Sequence, residues 1–73
     1  MSCFGENLKR VREEKSMTIE ELALKARLGV KTLENYEKNI QLPASQTILK
    51  LLTVLDVPAS ALLEKRNNSQ LSQ

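Results

Sequence analysis

The sequence predicts an all-α domain of five helices, and its central segment gives the clearest indication. Residues 18–37 carry apolar side chains in two short stripes at helical spacing, with Leu22 and Ala26 in the first and Leu33 and Tyr36 in the second. A tight break separates the stripes, which is the pattern of two helices packed across a turn. Further apolar stripes predict one helix before this pair and two after it.

The first helix is predicted from an apolar stripe formed by Phe4, Leu8 and Val11. This spacing favours a helix from about Gly5 to Lys15 with one buried face. Basic residues flank the stripe. They could contact phosphate groups or simply form solvated surface, because lysine and arginine are common on any exposed helix. The sequence leaves both interpretations open.

The second helix has the signature of a capping box at its start. Thr18 is followed three residues later by Glu21, so the hydroxyl and the carboxylate can each accept a hydrogen bond from an otherwise unpaired backbone N–H. Met17 precedes this cap, at a position where an apolar side chain often packs onto the entering helix. These signals predict a helix from Thr18 to Lys25.

The third helix is predicted to begin near Gly29, which can serve as its N-cap, and to run to about Lys38. Asn39 then ends it, since asparagine tolerates the left-handed conformation that often stops helices. A short polar helix supported by another helix has the shape to enter a DNA major groove. The polar side chains expected to face outward are Lys31, Thr32, Glu34 and Asn35.

Two more helices are predicted after Pro43. A run of isoleucine and leucine predicts a fourth helix from about Ser45 to Leu55, and it contains more leucine than a one-sided helix requires. This excess suggests a core helix with one edge available for a subunit interface. Pro58 is well placed at a helix start, so a short fifth helix is expected from about Ala59 to Lys65.

Length and composition restrict the class of protein. The 73 residues are expected to form one domain, 1–66, followed by a polar tail, 67–73, that is disordered or loosely packed. Cys3 is the only cysteine and histidine is absent. This composition excludes an intramolecular disulfide, a structural zinc site and most pairs of nucleophile and base. We therefore expect a protein that is not an enzyme and that binds no metal or cofactor.

The sequence also carries no signal for a membrane. Its apolar runs fall short of the roughly 20 residues that span a bilayer, and its N-terminus lacks the apolar region of a signal peptide. A cytoplasmic protein is the simplest expectation. The net charge is only +2, so a role in DNA binding depends on where the charges lie rather than on their sum.

From Phe4 to Leu63 the chain resembles the XRE-like helix-turn-helix family, which includes Cro and the lambda-type phage repressors. The resemblance runs without a gap over all five predicted helices. It implies a compact, lambda-repressor-like DNA-binding domain in which helices 2 and 3 form the helix-turn-helix. The matching residues are Phe4-Gly5, Leu8, Val11-Arg12-Glu13-Glu14, Leu22-Ala23, Leu33, Tyr36-Glu37, Pro43, Ile48, Leu55 and Leu62.

The resemblance also implies which residues contact double-stranded DNA. The third helix, about 29–38, would insert into the major groove, where Lys31 can donate to guanine and Asn35 can pair with the adenine edge. Val30 can pack on a thymine methyl group, and the loop after the helix can hold the phosphate backbone. For each residue the alternative is an ordinary exposed position. The full set of candidates is Thr18, Ile19, Val30, Lys31, Thr32, Asn35, Lys38, Asn39 and Gln41.

Three positions bear on how this chain compares with the family pattern. In the family the residue at Arg12 forms a structural ion pair with the acid at the end of the recognition helix, here Glu37. Ile19 stands where the family often has a glutamine; isoleucine has no amide to make that contact and could touch a thymine methyl group instead. Arg27 stands where the family usually has glycine with a positive φ, a conformation that costs another residue roughly 1 kcal/mol.

Two functional hypotheses follow. The leading one is a transcriptional regulator that binds a palindromic DNA operator as a homodimer, with Val54 and Leu63 as candidates for the dimer interface. Those two side chains could equally belong to the intramolecular core. The alternative is a protein-interaction module that kept the fold and has weak or no DNA binding, which Ile19, Glu34 and the small net charge favour.

Overall fold

The computed structural model describes residues 4–64 and contains five helices in that range. They are α1 (Phe4–Glu14), α2 (Ile19–Ala26), α3 (Val30–Glu37), α4 (Ser45–Leu55) and α5 (Ala59–Leu63). The predicted all-α, five-helix architecture is confirmed. None of these helices has the length and apolar character needed to cross a membrane. Cys3 and the tail predicted at 67–73 lie outside the described residues.

The helix boundaries agree closely with the sequence prediction. The fourth helix has the predicted bounds, and the first three differ from prediction by about one residue at each end. The fifth helix is shorter than predicted, because it ends at Leu63 rather than Lys65. Glu64 already has extended backbone angles of φ −73° and ψ 136°. At this point the carbonyl groups of Leu62 and Glu64 accept hydrogen bonds from the Asn7 side chain of α1.

The core is built by side chains from every helix. Helix α1 packs against α3 and α5, while α2 packs against α3 and α4. Phe4 and Tyr36 meet edge to face, with ring centroids 6.5 Å apart. The buried apolar residues are Phe4, Leu8, Val11, Leu22, Ala23, Ala26, Leu33, Tyr36, Leu51, Leu55 and Leu62. Burial of these stripes, rather than intrinsic propensity, stabilises helices this short.

Within residues 4–64, four residues other than glycine adopt left-handed backbone conformations where helices end. The positive φ predicted at Arg27 and at Asn39 is confirmed, with values of 58° and 61°. Ser16 and Asp56 have φ of 59° and 58°, which the sequence analysis did not anticipate. At Arg27 the backbone N–H bonds back to carbonyl groups of α2, so the strained residue ends that helix and turns the chain into α3.

Candidate nucleic-acid interface

The first half of the site is α2 with its two ends fixed. At its start, the Thr18 hydroxyl accepts from the Glu21 N–H at 3.0 Å and the Glu21 carboxylate accepts from the Thr18 N–H at 2.9 Å, which completes the predicted capping box. After its end, the Leu28 N–H donates to the Ala23 carbonyl at 2.9 Å. Ala23 is buried, and its small side chain leaves room for the neighbouring helix. The direction in which α3 leaves the turn is therefore fixed by local bonds.

The second half is α3, whose orientation follows from its buried stripe. Gly29 is the N-cap, with φ −74° and ψ 148°, as predicted. Leu33 and Tyr36 are buried, so the opposite edge of the helix faces solvent. On that edge Lys31 is exposed and Asn35 is half-buried. Thr32 is also half-buried, and Val30 packs partly against the core, which leaves it less free to reach a base.

An ion pair joins the end of α3 to α1. Arg12 Nε donates to Glu37 Oε2 at 2.7 Å and Arg12 Nη2 donates to Oε1 at 3.2 Å, so the contact is bidentate. Arg12 Nη1 also donates to the Met17 carbonyl at 2.9 Å. The two charged side chains are only 12% and 8% exposed. The hydrogen bond to the Glu37 carboxylate raises the pKa of Arg12, which overcomes the opposing effect of burial.

A second link between α1 and α3 involves Gly5 and Asn39. The Gly5 N–H donates to Asn39 Oδ1 at 3.0 Å. A Cβ atom on Gly5 would lie 2.5 Å from the Glu37 carbonyl oxygen and 2.6 Å from that of Tyr36, so the backbones approach as closely as glycine permits. The Asn39 side-chain oxygen therefore already accepts a hydrogen bond within the protein. The DNA contact predicted for this residue would have to be made by its Nδ2 group.

The loop after α3 folds back onto the helix end. The backbone N–H groups of Ile40 and Gln41 both donate to the Asn35 carbonyl, at 2.9 and 3.3 Å. Asn35 Nδ2 lies 3.5 Å from Gln41 Oε1, at the long limit of a hydrogen bond. Two predicted DNA-binding residues are therefore neighbours in the structure. Lys38, between them in sequence, is exposed.

Ile19, which stands where the family often has a glutamine, lies in a partly apolar environment. It is half-buried and packs against the core. It also lines a shallow cavity of about 160 Å³ together with Lys9, Glu34, Glu37 and Lys38. A thymine contact at Ile19 stays a prediction, and the nearby carboxylate of Glu34 would oppose a phosphate there.

An apolar surface lies away from this site, on α4 and α5. We define the α4–α5 face as Ile48, Leu49, Leu52 and Leu63, which together line a groove of about 220 Å³. Leu49 and Leu63 are 62% and 54% exposed. Val54, the other residue predicted for a dimer contact, is half-buried and does not line this groove, so its dimer contact stays a prediction. Leu49 was not singled out from the sequence, although the excess of leucine on this helix was the signal for it.

Comparisons with known proteins agree with this geometry. A family model described as Helix-turn-helix matches residues 8–62. The chain is 34% identical over 68 residues to the HTH-type transcriptional regulator SinR of Bacillus subtilis (strain 168), an alignment that spans 92% of this chain and 61% of SinR. The chain thus spans about three fifths of the length of this curated relative.

Two solved structures resemble the fold closely. The crystal structure of SinR, a master regulator for biofilm formation, in complex with DNA has a TM-score of 0.76 at 37% identity, covering 81% of this chain and 95% of that one. The restriction-modification controller protein C.AhdI from Aeromonas hydrophila has a TM-score of 0.78 at 30% identity, covering 82% and 91%. These relatives are named as regulators, in agreement with the expectation that the chain is not an enzyme. The chain belongs to the XRE-type helix-turn-helix family.

Proposed function

We propose that this protein is a cytoplasmic transcriptional regulator that reads a specific DNA sequence with α3 and binds a palindromic operator as a homodimer. The observation that carries the proposal is the outward polar edge of α3, held in place by α2 on one side and by the Arg12–Glu37 ion pair at its end. A rigidly supported edge of this kind suits the major groove, where each base pair presents a distinct set of donors and acceptors. The DNA complex of the similar protein SinR supports the same proposal.

The chemistry of base reading falls to two side chains in particular. Lys31 is exposed and can donate to guanine, while Asn35 can accept from and donate to adenine. Thr32 lies beside them, and Val30 has a lesser role because it packs partly on the core. Thr18, Lys38, Asn39 and Gln41 flank this edge and would position the phosphate backbone, while Ile19 would contact a thymine methyl group.

Removing both readers tests the DNA-binding part of the proposal. We expect the Lys31→Ala/Asn35→Ala variant to bind the operator about 100-fold more weakly than wild type, since each contact contributes on the order of 1–3 kcal/mol of discrimination. Binding to random DNA should change much less. Fluorescence anisotropy over a salt series measures both, first on DNA from upstream of the gene and then on sequences selected from a random pool.

A control variant separates base reading from loss of charge. Lys25→Ala removes a positive charge from the last turn of α2, at the opposite end from Thr18, and should leave operator affinity nearly unchanged. Equal weakening by both variants would contradict base reading by α3. Selection that yields no preferred sequence, at concentrations where the protein is dimeric, would contradict specific binding altogether.

The homodimer part of the proposal rests on the α4–α5 face. Within α4 and α5 the only charged residue is Lys50, so two copies of this face meet without strong repulsion between like charges. A two-fold axis through it would make the interface self-complementary. Binding both halves of a palindromic operator requires the two α3 helices to lie on the same side of the DNA, roughly 34 Å apart.

An acidic substitution in the face tests the dimer. We expect Leu49→Asp to raise the dimer dissociation constant about 100-fold, because it places two buried charges across the axis without partners. Sedimentation equilibrium measures this constant directly. Leu24→Asp is the matched control, since Leu24 is 80% exposed on α2, outside the face. If Leu24→Asp dissociates the dimer and Leu49→Asp does not, the interface lies on α2 rather than on the α4–α5 face.

A specific observation favours the second candidate, a protein-interaction module. Ile40 and Leu42, in the loop after α3, are 69% and 64% exposed and would meet solvent or a protein more readily than phosphate. The salt series discriminates between the two candidates. Phosphate contacts give a slope of about −0.9 per contact in a plot of log affinity against log salt, whereas a protein partner does not impose that relation.

A further inference from the structure

The buried side chain of Asn7 connects α1 to the end of α5. Asn7 is 1% exposed, and it is the one polar or charged residue among the described residues that is buried as a whole. Its Nδ2 donates to the Leu62 carbonyl at 2.9 Å and to the Glu64 carbonyl at 2.8 Å. These two carbonyls lie immediately before and after Leu63. A single amide group therefore holds the backbone on both sides of that residue.

The orientation of the Asn7 amide is determined by its surroundings. Arg10 Nη2 donates to Asn7 Oδ1 at 3.1 Å, which requires an acceptor at that end of the amide. The two carbonyls require donors at the other end. Reversing the amide would set donor against donor and acceptor against acceptor. A buried polar group with its hydrogen bonds satisfied in only one arrangement specifies a unique position for the elements it joins.

Helix α5 needs such an external tie because it is short. It has five residues, so most of its carbonyl groups have no partner within the helix. Leu62 anchors it in the core and Ala61 packs partly against the core, so few apolar contacts fix the rotation of the helix about its own axis. The two bonds from Asn7 add a polar constraint on that rotation. They thereby set the direction in which Leu63, 54% exposed, projects from the α4–α5 face.

We propose that Asn7 is a positioning residue for self-association, holding α5 at the angle at which Leu63 completes the α4–α5 face. This inference rests on the proposed homodimer. It assigns to α1 a role in dimer formation even though Asn7 itself is buried away from the partner. It also makes α1 the common support of both interfaces, since the same helix holds the end of α3 through Arg12.

The test compares Asn7→Ala with Ala26→Gly, a variant in a buried position of α2 that weakens the fold without touching α5. We expect Asn7→Ala to raise the dimer dissociation constant roughly 10-fold, on the order of one or two lost buried hydrogen bonds. Ala26→Gly should leave it nearly unchanged. If Asn7→Ala does not fold, Arg10→Ala removes the bond that orients the amide together with the exposed ion pair to Glu14, and it should give a smaller change in the same direction, whereas Glu14→Ala, which removes the ion pair alone, should not.

Amide hydrogen exchange provides a readout that a general loss of stability would not produce. In Asn7→Ala the Ala61 N–H, which donates to the Pro58 carbonyl, and the Glu64 N–H, which donates to the Ser60 carbonyl, should exchange faster, while the Leu33 N–H in α3 keeps its relative protection. Unchanged exchange in α5 would overturn the inference whatever the oligomeric state. Faster exchange in α5 with an unchanged dimer constant would overturn the link to self-association. A wild-type protein that stays monomeric would overturn the proposed homodimer itself, and the exchange data would still report whether Asn7 holds α5.

Discussion

Replacing Glu37 with alanine should lower the free energy of unfolding by about 3–5 kcal/mol, the cost of leaving a largely buried charge without its partner. In the native protein the Arg12 guanidinium donates twice to this carboxylate, and its side chain is only 12% exposed. After the substitution the Met17 carbonyl is the one acceptor that the guanidinium retains among the residues the structure describes. Urea denaturation followed by circular dichroism measures the change.

A double-mutant cycle shows whether the loss comes from the pair itself. Arg12→Ala and Glu37→Ala together should be little worse than the more harmful single variant, with a coupling free energy of about 2–3 kcal/mol. The exposed pair Arg10–Glu14 is the matched control, because its atoms are 3.6 Å apart and its side chains are 33% and 62% exposed. Its coupling should stay below about 0.5 kcal/mol. Additive effects at Arg12 and Glu37 would reject the structural role of this pair.

The ion pair also illustrates what the sequence could predict. Arg12 and Glu37 are 25 residues apart, and nothing in the local pattern of either helix joins them. Their contact was expected only from the resemblance to a family. In contrast, the capping box at Thr18 and the bounds of α4 depend on neighbours within a few positions, so the local sequence was sufficient to predict them.

Among the described residues, the hydrogen bonds that join the most distant positions in the chain were not predicted from the sequence. Asn7 meets α5 across 55 and 57 positions, and Gly5 meets Asn39 across 34. A polar residue in the predicted stripe of α1 and a glycine in its first turn were visible, but helical periodicity gives no information on which backbone such residues will meet. The same distinction between local pattern and tertiary packing applies to the candidate site. The position of α3 was predicted, whereas the partial burial of Ile19 and Val30 depends on tertiary packing.

Introducing a methyl group at Gly5 should destabilise the fold by about 3 kcal/mol, at the upper end of the usual cost of overpacking. The Cβ atom of Gly5→Ala would lie 2.5 and 2.6 Å from two backbone carbonyl oxygens of α3 and 2.8 Å from Asn39 Oδ1. Backbone atoms cannot rotate away as a flexible side chain can. To accommodate the methyl group, α1 must move away from α3, which lengthens the bond from the Gly5 N–H to Asn39 and shifts the end of the recognition helix.

Gly29→Ala is the matched control for this substitution. A Cβ atom at Gly29 would meet only Thr32 Oγ1, at 3.6 Å, which is an ordinary contact distance. Its cost should stay below about 1 kcal/mol, since it changes only the preference of an N-cap position. Helix propensity alone would make Gly5→Ala stabilising by about 1 kcal/mol, because alanine favours a helix more than glycine does. Close contact between the backbones of α1 and α3 predicts the opposite, a loss of stability. Urea denaturation of both variants decides between them, and a Gly5→Ala protein as stable as wild type would mean that α1 and α3 are not in close backbone contact.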